Sequence, residues 1–131
     1  MKGTTHPGFI PLSVLKYKLK NRFIVAPMSR VSATHEGVPT DNMSEYYTAF
    51  ARGGFSMIVT EGLYTDNYYA KAYPNQPGIV TRKQVKAWQG ITSAVQQAGG
   101  LIMAQLMHAG ALSQCLQYTA APSAVQPMGK K

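Results

Sequence analysis

At 131 residues, 45% hydrophobic and 14% charged, the chain is long enough for one domain with a buried core and too apolar for intrinsic disorder. No apolar run approaches the roughly 18–20 residues of a membrane helix. The formal charge of +8 raises nucleic acid as a partner, but the densest basic run, Lys16, Lys18, Lys20 and Arg22, alternates with Tyr17, Leu19 and Asn21. That spacing puts the charges on one solvated face of a strand, where they protect an edge from unwanted pairing.

Residues Phe9 to Asn21 read as an entry segment, broken at Pro11, whose basic alternation forms a strand or hairpin arm. Phe23 to Ala26 follows as a buried core strand that Pro27 ends, because proline has no N–H for a ladder. Val31 to Pro39 is a loop with Gly37 and Pro39 as turn residues. Asn42-Met43-Ser44-Glu45 has the spacing of a helix capping box. Met43, Tyr46, Tyr47, Phe50 and Ala51 then recur on one helical face, and Gly53-Gly54 stops the helix.

The second strand is Phe55 to Glu61, closed by Gly62. A loop from Leu63 to Val80 carries Tyr64, Tyr68, Tyr69 and Tyr73, and its length suits a functional segment. Its aromatics are equally suited to stacking on a ligand and to packing the loop down. Thr81-Arg82-Lys83-Gln84 opens a second helix with another capping box. Val85, Trp88, Ile91 and Val95 form its stripe, and Gly99-Gly100 end it. Leu101 to Leu106 is the third strand, running into Met107-His108-Ala109-Gly110. From Ser113 to Pro127 regular patterning fades.

Strand, helix, strand, helix, strand implies parallel strands joined by crossover helices. All three strands read as apolar on both faces, as a covered or closed sheet requires. The carboxyl ends of such strands share one side of the sheet, and here they carry Pro27-Met28-Ser29, Glu61-Gly62, and Gln105 to His108. Pro27 leaves a carbonyl for a ligand, Gly62 has no side chain to block one, and Gln105 both donates and accepts. That mixture suits a planar heterocycle with alternating carbonyl and N–H groups, whereas a phosphate would call for a glycine-rich nest or helix N-terminus.

Plainer roles stand beside these. Met28 and Met107 are also ordinary core fillers, and His108 by itself reads as a satisfied core histidine. His35-Glu36 lacks the second histidine of a zinc-protease helix, no GxGxxG or P-loop pattern occurs, and Cys115 is too isolated for a nucleophile or metal ligand. No metal site is expected. A single cysteine excludes an internal disulfide and fits a reducing compartment. With no signal-peptide h-region near Met1, the cytoplasm is the expected location.

Taken in order, Leu19-Lys20-Asn21-Arg22, Ala26-Pro27-Met28-Ser29-Arg30, Thr60-Glu61-Gly62 and Gln105-Leu106-Met107-His108-Ala109-Gly110 closely resemble the Old Yellow Enzyme family. The resemblance runs from about Phe9 to Ser123. It implies an α/β fold, the N-terminal part of a (β/α)8 TIM barrel with about three of eight strands, so that residues 1–131 make an incomplete FMN-binding domain. It further implies FMN as cofactor, with NADH or NADPH as reductant and an activated alkene, such as an α,β-unsaturated carbonyl, as small-molecule substrate.

The site residues implied are Pro27 and Met28 along the isoalloxazine ring through their backbone, Ser29 at its N5/O4 edge, and Gly62 and Gln105 on its pyrimidine side. The family's substrate-binding, proton-donating and phosphate-binding groups come from later strands, so no catalytic residue is assigned to this chain, and alone it is expected to be inactive. Ala111 stands where relatives often continue the His108 motif with arginine. Three strands cannot close a barrel, so self-association, or a need for the missing barrel portion, is expected. Two alternatives are a truncated, non-catalytic α/β product that binds no flavin and a basic nucleic-acid-binding module.

Overall fold

The computed structural model describes residues 6–128. Leu12–Val14 (β1) and Tyr17–Leu19 (β2) pair as an antiparallel hairpin. Leu19 is buried while Lys16, Lys18, Lys20 and Arg22 all face solvent, as their alternation predicts. Only Lys18 of the four lies inside the strand, however. Behind the hairpin, Ser56 Oγ donates to Asn21 Oδ1 at 2.7 Å and Asn21 Nδ2 donates to the Gly54 carbonyl at 2.8 Å. These bonds tie the start of the first core strand to the start of the second.

The core sheet is parallel, in the order Ile24–Val25 (β3), Met57–Tyr64 (β4) and Leu101–Met107 (β5). Helices Asp41–Arg52 (α1) and Arg82–Gln97 (α2) are the crossovers. Met43, Tyr47 and Ala51 of α1 and Trp88, Ile91 and Val95 of α2 bury the expected stripes against Val25, Ile58 and Leu63. Val85 is 38% exposed, and buried Gln84 takes the inward place at the start of α2.

Four expectations change. The first core strand is two residues long rather than four, because Phe23 faces the entry segment and stacks edge-on with Phe9. The capping box at Asn42 is absent: α1 begins two residues earlier, with extended Thr40 as N-cap and Asp41 in the first turn, where its charge suits the helix dipole. The Thr40 hydroxyl donates to the Ser32 carbonyl at 2.9 Å instead of capping. The box at Thr81 forms as expected, with Thr81 and Gln84 bonded reciprocally. The second strand passes through Gly62 and ends at Tyr64. Finally, β4 is buried along nearly its whole length, but the outer strands are incompletely covered. Ile24 and Met103 are 45% and 52% exposed, and Leu106, in register with the core residue Leu63 and so on the helix-bearing side, is 65% exposed, since the described residues leave the outer strands only partly covered.

Candidate flavin-ring site

The three strand ends come together as the alternation of elements requires. Val25 sits opposite Ile58 and Gly62 opposite Gln105 in the parallel ladders, so Pro27-Met28-Ser29, Gly62 and Gln105 occupy adjacent strand ends. Regular alternation would send Ile58 and Leu63, five residues apart, to opposite faces. Both belong to the core beneath the helices, which an irregularity between Val59 and Gly62 permits. At that irregularity Thr60 Oγ1 accepts the Gln105 N–H at 3.1 Å and donates to the Glu61 carbonyl at 2.8 Å. The hydroxyl thus fills a gap in the ladder and fixes the backbone of Gln105.

Glu61 is 2% exposed, and a buried acid must be paired. Its Oε2 accepts the N–H groups of Arg30 and Val31, both at 3.0 Å, and its Oε1 accepts the Tyr47 hydroxyl at 3.2 Å. Tyr47 Oη in turn accepts the Glu61 N–H at 3.1 Å. Burial, reinforced by the Glu61 charge, pushes the Tyr47 phenol well above the ordinary tyrosine range. Val31 has φ of 48°, a left-handed conformation that costs a β-branched residue roughly 1–3 kcal/mol. The Glu61 carboxylate therefore secures a strained turn immediately after Ser29 and Arg30. The Arg30 guanidinium lies over the Tyr46 ring at 4.2 Å.

Ser29 and Gln105 are exposed, and neither side chain hydrogen-bonds another described residue. Pro27 and Met28 are exposed as well. Gly62 is placed differently from an open approach. A Cβ there would meet the Met107 side chain at 2.5 Å, so the missing side chain makes room for Met107. Its carbonyl accepts from Gln76 Nε2 at 2.7 Å, while Gln76 Oε1 accepts the Ala72 N–H at 2.7 Å.

The stretch expected as a loop from Leu63 to Val80 is packed down only in part. Tyr64 donates its hydroxyl to the Glu36 carbonyl at 3.0 Å and accepts from Gln84 Nε2 at 2.6 Å. Tyr68 and Tyr69 face solvent. Asp66 Oδ1 accepts both their N–H groups at 2.7 Å, and its Oδ2 lies 3.4 Å from His108 Nε2. His108 is thus a half-exposed partner of Asp66 at the end of β5 and no core histidine.

Sequence reading missed Glu61, Tyr47, Thr60 and Gln76 as organisers of this end of the sheet. An acid inside an apolar strand was the available signal for Glu61. Nothing local marks the other three.

The profile of the NADH:flavin oxidoreductase / NADH oxidase family matches residues 8–131. The chain belongs to this family. It is 38% identical over 109 residues to the flavin oxidoreductase hxnT of Emericella nidulans, covering 79% of this chain and 27% of that protein. To a putative 12-oxophytodienoate reductase 4 of Oryza sativa subsp. japonica it is 36% identical over 107 residues, covering 82% and 27%. Among solved structures, an Old Yellow Enzyme homologue from Zymomonas mobilis superposes with a TM-score of 0.75 at 39% identity, over 82% of this chain and 30% of that one. The Old Yellow Enzyme resemblance and the barrel fold are therefore correct: β3, β4, β5 and the two helices are the N-terminal part of this family's (β/α)8 barrel. The chain spans about 27% of the length of the curated relatives it matches.

The residues present fit the ring of a flavin. A hydroxyl at Ser29 and an amide at Gln105, neither bonded to another described residue, stand on the two strands that flank β4 and its Gly62, which is the donor–acceptor mixture an isoalloxazine edge needs.

Proposed function

We propose that this chain supplies the flavin-ring-binding portion of an FMN-dependent oxidoreductase that passes hydride from NADH or NADPH, through the flavin, to activated alkenes such as α,β-unsaturated carbonyls. Bound FMN supplies the hydride chemistry. The chain's own residues bind and orient. Pro27 and Met28 lie along the ring through their backbone, Ser29 donates its hydroxyl at the N5/O4 edge, and Gly62 and Gln105 meet the pyrimidine side. A donor near N5 tunes how readily the ring accepts hydride. No residue of this chain is given a proton-transfer role, and none a metal. The proposed setting is cytoplasmic, with a small-molecule substrate and neither nucleic acid nor membrane as partner.

The side chains of Ser29 and Gln105, unbonded to other described residues on the two strands either side of β4, carry this reading. Titrating the purified chain with FMN and following flavin fluorescence tests it. Saturable quenching that is lost in Gln105→Ala is expected, and quenching that ignores this substitution counts against the assigned site. Little dependence on salt is also expected, whereas a basic nucleic-acid module would lose its affinity for nucleic acid steeply as salt rises.

In the alternative reading these residues keep the family's front end but hold no flavin. A colourless preparation that fails to quench FMN would favour it.

A further inference from the structure

We infer that Glu61 is a positioning residue for the flavin, acting through the backbone of the segment that carries Ser29. The inference rests on the flavin reading above and adds a residue to it.

Two consecutive backbone N–H groups, those of Arg30 and Val31, converge on one oxygen of a side chain that is 2% exposed. Ordinary strand pairing cannot produce this geometry, because consecutive N–H groups in a strand point to opposite sides. The convergence requires the turn at Val31, whose φ of 48° a β-branched residue does not adopt unaided. Glu61 itself is held from the far side by Tyr47 of α1, which donates to Oε1 and accepts from the Glu61 N–H. The chain of contacts runs from a packed helix, through a buried carboxylate, into the turn that leaves Ser29 exposed at the strand end.

Position matters here because Ser29 has no bond of its own to another described residue. Its hydroxyl is placed by backbone alone. Without Glu61, the N–H groups of Arg30 and Val31 would seek water, Val31 would relax to negative φ, and Ser29 would no longer be held against the ring. Glu61 touches neither flavin nor substrate in this scheme.

Hydrogen exchange and FMN titration on the 131-residue chain test this, comparing wild type with Glu61→Ala and Glu61→Gln. In wild type the Arg30 and Val31 amides should exchange roughly tenfold or more slowly than that of Ser29, as hydrogen bonds to a charged group imply. Glu61→Ala should bring them to the Ser29 rate while α2 stays protected around Trp88 and Ile91. It should also weaken FMN binding by roughly tenfold, the size of one lost polar constraint, and shift the visible absorption of the FMN still bound. Glu61→Gln keeps an oxygen for both N–H groups and should restore most of the protection and the spectrum.

Unchanged protection at Arg30 and Val31 in Glu61→Ala would overturn the inference. So would lost protection with wild-type FMN affinity and spectrum. If Glu61→Ala also exposes α2, Tyr47→Phe takes its place: faster exchange at Arg30 and Val31 with weaker FMN binding supports the inference, and no change in either overturns it. A wild-type chain that binds no FMN would remove the flavin reading and the flavin role of Glu61 together, while the exchange rates would still decide whether Glu61 holds the turn.

Discussion

Tyr47 and Glu61 bond each other twice: the tyrosine hydroxyl donates to Glu61 Oε1 at 3.2 Å and accepts the Glu61 N–H at 3.1 Å. One side chain from the first crossover helix thereby fixes both the backbone and the side chain of a residue in the central strand. The remaining oxygen of Glu61 is free to accept the Arg30 and Val31 N–H groups. Helix, central strand and first-strand exit are joined through four hydrogen bonds at a single residue, three of them on its carboxylate.

Tyr47→Phe should destabilise the fold by about 1–3 kcal/mol, because it leaves a buried N–H and a buried carboxylate oxygen each short of a partner. Urea unfolding at neutral pH measures this, and a loss near zero would mean that water replaces the hydroxyl. The pH dependence follows from the raised Tyr47 phenol. A group whose value is raised in the folded state stabilises the fold while it is protonated. The contribution is complete below about pH 10, the ordinary tyrosine value, and is lost as pH rises toward the higher folded value. Wild type should therefore lose stability above about pH 10 more steeply than Tyr47→Phe does.

Local chemistry made much of this fold legible. The stripes on both helices, the glycine stops and the capping box at Thr81 each depend on residues within one or two turns, and each forms. The four motifs fall along the strands in the order read, with Thr60-Glu61-Gly62 inside β4 at its irregularity and not at its end. The site's support was less legible, because it depends on partners 14 to 45 residues apart: Tyr47 with Glu61, Gln76 with Gly62, Thr60 with Gln105. No periodicity reports such pairs. The end of the second strand was misplaced at Gly62 for a related reason. Glycine punctuates chains by default, but here its missing side chain is filled by Met107 from the neighbouring strand. Asn42 drew the first helix start because asparagine is a good N-cap in isolation, and the threonine two residues earlier displaced it.

Gly62→Ala tests that packing. Its new methyl group would meet Met107 Sδ at 2.5 Å, and overpacking of this kind typically costs about 1–3 kcal/mol. Because the clash is with a flexible side chain, Met107→Ala in the same background should recover part of the loss. A double-mutant cycle by thermal unfolding reads the coupling, and strict additivity would show that Met107 does not fill the place of the missing side chain.

Asp66 should anchor the segment after β4 in an acid-sensitive way. Its carboxyl is held below the usual range, chiefly by the backbone N–H of Tyr69, with help from those of Tyr68 and Ala70 and from the nearby His108. A carboxyl with a depressed folded value stabilises above the ordinary value of about 3.9, and that contribution disappears as pH falls through the folded one. Asp66→Ala should thus be less stable than wild type at neutral pH, and the two should converge in acid. The difference should be small, since Asp66 is partly exposed and screened. A gap that persists unchanged below about pH 2, beyond the ordinary carboxylate range, would show that the anchor is not electrostatic.

The uncovered surfaces of the outer strands set how the chain behaves in solution. Ile24, Met28, Met103 and Leu106 are between 45% and 65% exposed, and β3 and β5 each present an unpaired strand edge among the described residues. Open edges beside apolar side chains pair with whatever chain they meet. The chain on its own should therefore associate as concentration rises, with itself or with a segment able to continue the sheet. Met103→Lys combined with Leu106→Lys should shift sedimentation velocity profiles toward monomer. It should leave the thermal midpoint nearly unchanged, because both side chains already face solvent. A wild-type chain that stays monomeric throughout, with a single cooperative transition, would mean that three parallel strands and two helices suffice as a folding unit.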